Sequence, residues 1–310
     1  MSARLWAVAL VPALLLNWSV LEQSANALPT ARKMNEQQIQ EAAANFTRPW
    51  SQRRGIETID RNAEVILVRA PLNELSNLLA AQAIEARQDV VGSQIEMLGA
   101  FVFAYQLVGQ SWSIIVGGYS PAVLHPTQLA QLSTHLDQPI IRLLVSDTGC
   151  KIGYDLFEHG ALVEYFRGTE ENAPYDSNEY GIQSQRYSIT SRPSVEAIKN
   201  LDLVMEGVNP DSLVSEQTAY FWSRRRQVMA EDIGNIWQFS NQLLLNYNAY
   251  DPALDASYFL GGYSMLKQGD RYQIQNSGST MSLGYDRERR KREVTSVPDL
   301  IRVDYFRFEK

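Results

Sequence analysis

The sequence predicts an α+β fold. It is a mostly antiparallel sheet with a β-α-β-β-α-β, ferredoxin-like core, a meander after that core, and a helix-rich C-terminal extension. Three patterns predict it. Short apolar runs of strand length alternate with two leucine stripes at helical spacing between residues 60 and 145. Two aromatic and β-branched runs meet at Gly109-Gln110, the signature of a hairpin. Two further runs meet at His159-Gly160 and extend the sheet as a meander.

The elements follow in order. Glu64 to Arg69 is a nearly continuous apolar run, as a buried strand requires. Pro71 suits the first turn of a helix, and Leu72, Leu75, Leu78 and Leu79 then form one stripe through about Gln82. After a variable stretch at 84–98, Phe101 to Val108 and Ser111 to Val116 form the hairpin, closed off by Gly117-Gly118-Tyr119-Ser120-Pro121. A second helix runs from Thr127 to Leu136 with Leu129, Leu132 and Leu136 on one side. Strands at 139–145, 152–158 and 161–167 follow.

Gly168 to Pro193 lacks apolar periodicity, and Glu170, Glu171, Asp176 and Glu179 make it acidic. It is expected to be a mobile loop. Helical spacing covers Val195 to Met205 and Arg226 to Leu245, and Asn246 to Pro252 stops the second of these. Leu300 to Phe308 alternates Ile301, Val303 and Tyr305 with charged neighbours and reads as a closing strand. The expected organisation is a signal peptide at 1–27, a linker with a short helix at 28–59, and one composite domain at 60–310. That domain divides into a core at 60–168, the acidic loop at 168–193, a helix-rich extension at 194–299, and the strand at 300–308.

The N-terminus carries an address. Arg4 precedes an apolar run from Leu5 to Leu16, shorter than the ~20 residues that span a bilayer. Ala25-Asn26-Ala27 fits the small-x-small pattern of a cleavage site, so export to the periplasm or beyond is expected. Two alternatives stay open: an anchor extending to Leu21, and a cytoplasmic protein translated from Met34. Membrane contact is expected only through residues 5–21.

Composition narrows the chemistry. The net charge is −7 and the pI about 5.2, so no DNA partner is expected. A single cysteine, Cys150, excludes an internal disulfide and a cysteine-rich metal site, and the only histidines are His125, His135 and His159. No P-loop, dinucleotide-binding glycine string, His-Glu-x-x-His or EF-hand pattern occurs, so no cofactor or metal is expected.

Each candidate site has a simpler reading. Asp147-Thr148-Gly149 follows an apolar strand and resembles the aspartic-protease motif, but Ser146 stands where that motif is apolar and no second copy exists. Asp and Gly in a hairpin turn suffice to explain it. Ser120 and Ser264 follow Gly-Tyr but lack the second glycine of a nucleophile elbow. His159 reads as a turn residue and His135 as solvated; Lys151 beside Cys150 is a weak activating neighbour. Arg224-Arg225-Arg226 and Arg287 to Arg292 are basic runs, the second diluted by Glu288 and Glu293. Trp112, Trp222 and Trp237 are expected in the core and Trp50 outside it.

Gln106 to Val116, Ser146 through Gly160, and Asn248 to Pro252 resemble blocks in bacterial α/β proteins, several of them cyanobacterial, and more distantly immunity- or antitoxin-type interaction proteins. The resemblance implies a bacterial, non-enzymatic domain and carries no site residue. The expected function is therefore protein interaction or assembly, with the 168–193 loop and a basic patch presented to a protein partner. The alternative is a carboxylate-based hydrolase using Asp147 and Asp155. A lipid- or pigment-binding module is a third reading, which requires an apolar cavity.

Overall fold

Strand length and side-chain alternation decide where each run of this chain goes. In β1 (Ala63–Val68), Val65 and Leu67 point to one side of the sheet and Ile66 and Val68 to the other, and all four are buried. A strand buried on both faces needs a layer on each side. Helix α1 (Leu72–Ala80) supplies the first layer, burying Leu72, Leu75 and Leu79. The short strands β2 (Glu85–Arg87) and β3 (Gln94–Glu96) follow. Then come β4 (Ala100–Leu107) and β5 (Ser113–Gly117), with Gly109 at φ 81° in their turn.

Helix α2 (Pro126–Leu136) begins with a reciprocal cap. The His125 ring accepts from the Thr127 amide, and the His125 amide donates to Gln128 Oε1 at 2.8 Å. Strands β6 (Ile140–Ser146), β7 (Lys151–Glu158) and β8 (Ala161–Glu170) form the meander. At the β7–β8 corner His159 and Gly160 both have positive φ, the pair a two-residue turn of this hand requires. After β9 (Gln185–Ser191) and β10 (Ser215–Ser223) come a single turn, α3 (Ala230–Ile233), and α4 (Ile236–Asn246). The remaining strands are β11 (Tyr263–Gln268), β12 (Arg271–Asn276), β13 (Thr280–Met281), β14 (Arg292–Glu293) and β15 (Leu300–Phe308).

The structure is a computed structural model that describes residues 55–59, 63–96, 99–117, 124–146, 151–170, 175–191, 215–249, 263–268, 271–276, 280–281, 292–293 and 300–309. The expected signal peptide, the short helix expected in the linker (residues 36–44), Trp50, Asp147 to Cys150, and the helix expected at 195–205 lie outside these residues.

The fold is α+β around a ten-stranded sheet in the order β2-β15-β4-β5-β1-β6-β7-β8-β10-β9, with every neighbouring pair antiparallel. Helices α1 and α2 cover one face over Ile66, Val102, Ala104, Ile115, Ile140 and Phe306. Helix α4 and the turn at Gly55–Thr58 cover the other, where Ile236, Phe239, Leu243 and Leu244 meet Tyr154, Phe166 and Phe221. Gly168 faces this second layer, and a Cβ there would press on the Ile236 side chain. Separate small sheets pair β11-β12-β3 and β13-β14. Among the described residues no helix is long and apolar enough to cross a membrane.

Two expectations change. The helix expected at 226–245 is confined to 236–246, behind extended chain to Met229 and the single turn of α3. The cause is local: Asn235 caps α4, its Oδ1 accepting from the Trp237 and Gln238 amides, and Gly234 breaks the turn before it. The expected acidic loop is also partly strand. β8 runs on to Glu170, and β9 buries Tyr187 and Ile189 while Arg186, Ser188 and Thr190 stay exposed.

Candidate functional site

Helices α1 and α2 pack on the apolar part of their sheet face, α2 against β7 and β8 as well. Beyond that apolar part, β1, β6, β7 and β8 carry charged residues at positions that alternation assigns to the same side, with Lys151 as well as Asp155 on β7. Glu64, Arg142, Asp155 and Arg167 thus stand in a row across four adjacent strands. Asp155 is directly opposite Arg142 on β6 and Tyr165 on β8. Arg167 is opposite Gly153, and a Cβ at 153 would overlap the Phe166 carbonyl and crowd the Arg167 side chain. Glycine at 153 is therefore what lets Arg167 lie flat across β7.

The row is bonded end to end. Arg142 Nη2 donates to Glu64 Oε2 at 2.9 Å, and its Nη1 donates to Asp155 Oδ2 at 3.3 Å. Arg167 Nη2 donates to Asp155 Oδ1 at 2.6 Å and to Glu179 Oε1 at 2.7 Å, while its Nη1 donates to the Tyr154 and Phe166 carbonyls at 2.8 Å. Asp155 has no exposed surface, and the Arg167 side chain is 4 % exposed. A carboxylate so deep is tolerable only because two guanidinium groups neutralise it.

Residues 175–184 lie over this row. Tyr180 donates to Asp155 Oδ2 at 2.7 Å and accepts from Arg142. Tyr175 donates to Glu179 Oε2 at 2.6 Å, and its ring meets that of Tyr220 with centroids 4.3 Å apart. Tyr165 donates to the Ile182 carbonyl at 3.0 Å. Tyr180 sits at φ 60°, in the left-handed region.

The protonation states follow from these contacts. Burial works against the Arg142 and Arg167 charges, but Glu64 and Asp155 for the first, and Asp155 and Glu179 for the second, outweigh it and hold both cations firmly protonated. Burial also opposes the Glu179 charge; Arg167 outweighs it, so the Glu179 carboxyl titrates below its usual range. Tyr175 and Tyr180 are pushed well above the usual phenol value, first by burial and then by Glu179 and Asp155 respectively. At neutral pH the row thus holds two fixed cations and the Glu179 carboxylate, with two phenols donating.

The opposite face holds a second, separate cluster. Glu164 accepts from Tyr154 at 2.7 Å and from Arg226 through both oxygens at 2.7 and 2.8 Å, and the Arg226 guanidinium lies over Phe221 and Phe239. Arg225 pairs with Glu158, which also accepts from Tyr247.

The residues singled out by sequence therefore scatter. Asp155 is in the charged row; its expected companion, Asp147, lies outside the described residues together with Thr148, Gly149, Cys150 and Ser120. Ser264 lies in β11, with its backbone alone described. His159 forms the β7–β8 turn and bonds Asp137 at 2.8 Å in solvent. His135 is exposed and bonds the Gln131 carbonyl. Of the Arg224–Arg226 run, Arg225 and Arg226 are engaged by carboxylates; Arg224 is exposed over the Trp222 ring. Trp112 is fully buried, whereas Trp222 and Trp237 are half-buried. From Arg287 to Lys291 the second basic run is outside the described residues.

Glu64, Arg142, Arg167, Glu179 and Tyr180 escaped the sequence reading. For Glu64, Arg142 and Arg167 a signal was present, charges set in largely apolar strands that burial obliges to pair; Glu179 and Tyr180 lie in a stretch with no periodic pattern. Among the described residues no cluster of three or more His, Cys, Asp or Glu is placed to hold a metal ion. Comparison with family models, with curated proteins and with solved structures finds no match to this chain.

Proposed function

We propose that this chain is a non-enzymatic protein-interaction or assembly domain of bacterial type, exported by its N-terminal segment, which meets its partner on the sheet face at and beneath residues 175–184. The observation that carries the reading is the state of Asp155. It is fully buried and engaged by Arg142, Arg167 and Tyr180, so its charge serves cohesion rather than proton transfer to a substrate. Around it the surface offers solvated cations beside aromatic rings: Lys151 over Tyr175, and Arg224 over Trp222. Such amphipathic surface is common where proteins dock.

The scaffold in this reading is a ferredoxin-like β-α-β-β-α-β unit of β1, α1, β4, β5, α2 and β6. What supports it is the spatial order β4-β5-β1-β6 and the packing of both helices on one face. β2 and β3 are insertions between α1 and β4, and the apolar run at residues 5–16 supports export.

The test is a comparison of wild type with Asp147→Asn and with a Lys151→Gln, Arg224→Gln double variant. Retention of a partner by wild type and Asp147→Asn, with loss in the double variant at unchanged unfolding midpoint, is expected. A peptide-hydrolysing activity of wild type that disappears in Asp147→Asn would replace this reading with the hydrolase.

A further inference from the structure

Residues 175–184 are held down in an unusual way. Of their side chains only Ser184 is fully buried, while Tyr175, Glu179, Tyr180 and Ile182 are half-buried. Their contacts to the sheet are polar or ring-to-ring: Glu179 on Arg167, Tyr180 on Asp155 and Arg142, the Ile182 carbonyl on Tyr165, and Tyr175 against Tyr220. Segments with few buried apolar contacts open at a fraction of the global unfolding free energy. The left-handed Tyr180 adds a conformational cost that only the closed contacts offset.

The segment is also tied to itself. The Ser184 amide and hydroxyl both donate to the Ser177 carbonyl at 2.9 Å, and the Gly181 and Ile182 amides donate to the Asn178 and Glu179 carbonyls. These bonds survive if the sheet contacts break, so the segment can lift as a closed loop.

Among the described residues, this face carries Arg142, Arg167, Lys151, Arg186 and Arg224 and, against them, Glu64, Asp155, Glu216, Asp176 and Glu179. Asp176 and Glu179 belong to the segment itself. Lifting it removes both and leaves a cationic face with Tyr165, Tyr220 and Trp222 exposed, and with one Arg167 bond vacant.

We propose that residues 175–184 are a displaceable strap, and that the partner is an acidic protein segment that sets a carboxylate on Arg167 where Glu179 now sits and lies along Tyr220 and Trp222. This rests on the interaction reading above and names the partner's chemistry. Glu179 is thus an internal competitor, and the strap sets how tightly the partner binds.

The test uses the full chain and a fluorescein-labelled hexaglutamate peptide, followed by anisotropy at low and moderate salt. Affinity should rise from wild type through Glu179→Gln to Glu179→Ala, by about tenfold overall, and weaken with salt. In the Glu179→Ala background, Arg167→Lys should return it to or below the wild-type level. Arg186→Gln with Arg224→Gln, on the solvated rim and harmless to folding, should lower it several-fold even if Arg167→Lys misfolds. Equal affinity in wild type and Glu179→Ala, or binding insensitive to the rim substitutions, overturns the strap. If the natural partner is captured equally by wild type and Glu179→Ala, the strap fails and the interaction reading stands. If no partner is captured and hydrolysis is lost in Asp147→Asn, both fail.

Discussion

Replacing Asp155 by Asn separates a cohesive role from a catalytic one. The substitution keeps the shape and one acceptor oxygen but removes the negative charge between Arg142 and Arg167. Neither guanidinium is left wholly alone: Arg142 retains Glu64, and Arg167 retains Glu179 and two carbonyls. Removing one member of a buried ion pair costs ~3–5 kcal/mol, and these remaining partners place the expected loss near the lower end, at about 3 kcal/mol. With a urea dependence of about 3 kcal/mol per molar, the unfolding midpoint should fall by roughly 1 M. Far-UV circular dichroism in a urea titration measures it. Arg142→Gln and the double variant complete a cycle, in which the two losses should fall short of additivity by about 1–2 kcal/mol. A midpoint for Asp155→Asn equal to or above wild type would refute the reasoning, because catalytic carboxylates are often held at a cost to stability.

Further outcomes follow from the same geometry. Gly153→Ala should cost about 3 kcal/mol, since the new Cβ meets the Phe166 backbone, which cannot swing aside; a urea midpoint checks it. Asn235→Ala should lose about 1 kcal/mol with the two amide bonds it accepts at the start of α4, read by thermal unfolding. Arg226→Met should destabilise by roughly 3 kcal/mol, because Glu164 is left buried without its cation; the same titration measures it. Strap closure should depend on pH at both extremes. Glu179 titrates lower when closed, so its contribution is complete above the ordinary carboxylate range and lost as pH falls through the lowered value. Tyr175 and Tyr180 titrate higher when closed, so their contribution is complete below the ordinary phenol range and lost as pH rises beyond it. Exchange rates of the 177–184 amides at several pH values, corrected for intrinsic rates, test both limbs.

Much of the sheet was legible because its strands announce themselves. Val65-Ile66-Leu67-Val68, the Phe101–Val108 hairpin arm and the alternation from Ile301 to Tyr305 each match a strand. Leucines 72, 75 and 79 match the buried stripe of α1. β9 and β10 were missed for different reasons. Arg186-Tyr187-Ser188-Ile189-Thr190 has the period of two, but only two apolar residues mark it inside an acidic stretch. Gln217 to Trp222 lacks clean alternation because both its faces are covered. The α4 boundary was written in the sequence as Gly234-Asn235, a break followed by a cap, and continuous helical spacing upstream obscured it. The charged row was the least legible feature. Glu64, Arg142, Asp155 and Arg167 lie on four strands, and only the register brings them together; Glu179 then arrives from a segment with no periodic pattern. Pairing of lone charges can be expected from burial, but which pairs form is a property of topology.

Hydrogen–deuterium exchange across the full chain at neutral pH tests the central claim most directly: a cohesive charged row in the sheet beneath a strap that opens independently. The Tyr154–Leu156 and Tyr165–Arg167 amides should exchange only with global unfolding, while amides at 177–184 exchange at least a hundredfold faster and faster still in Glu179→Ala. Exchange of 177–184 in step with β7 and β8, unchanged by Glu179→Ala, would contradict it.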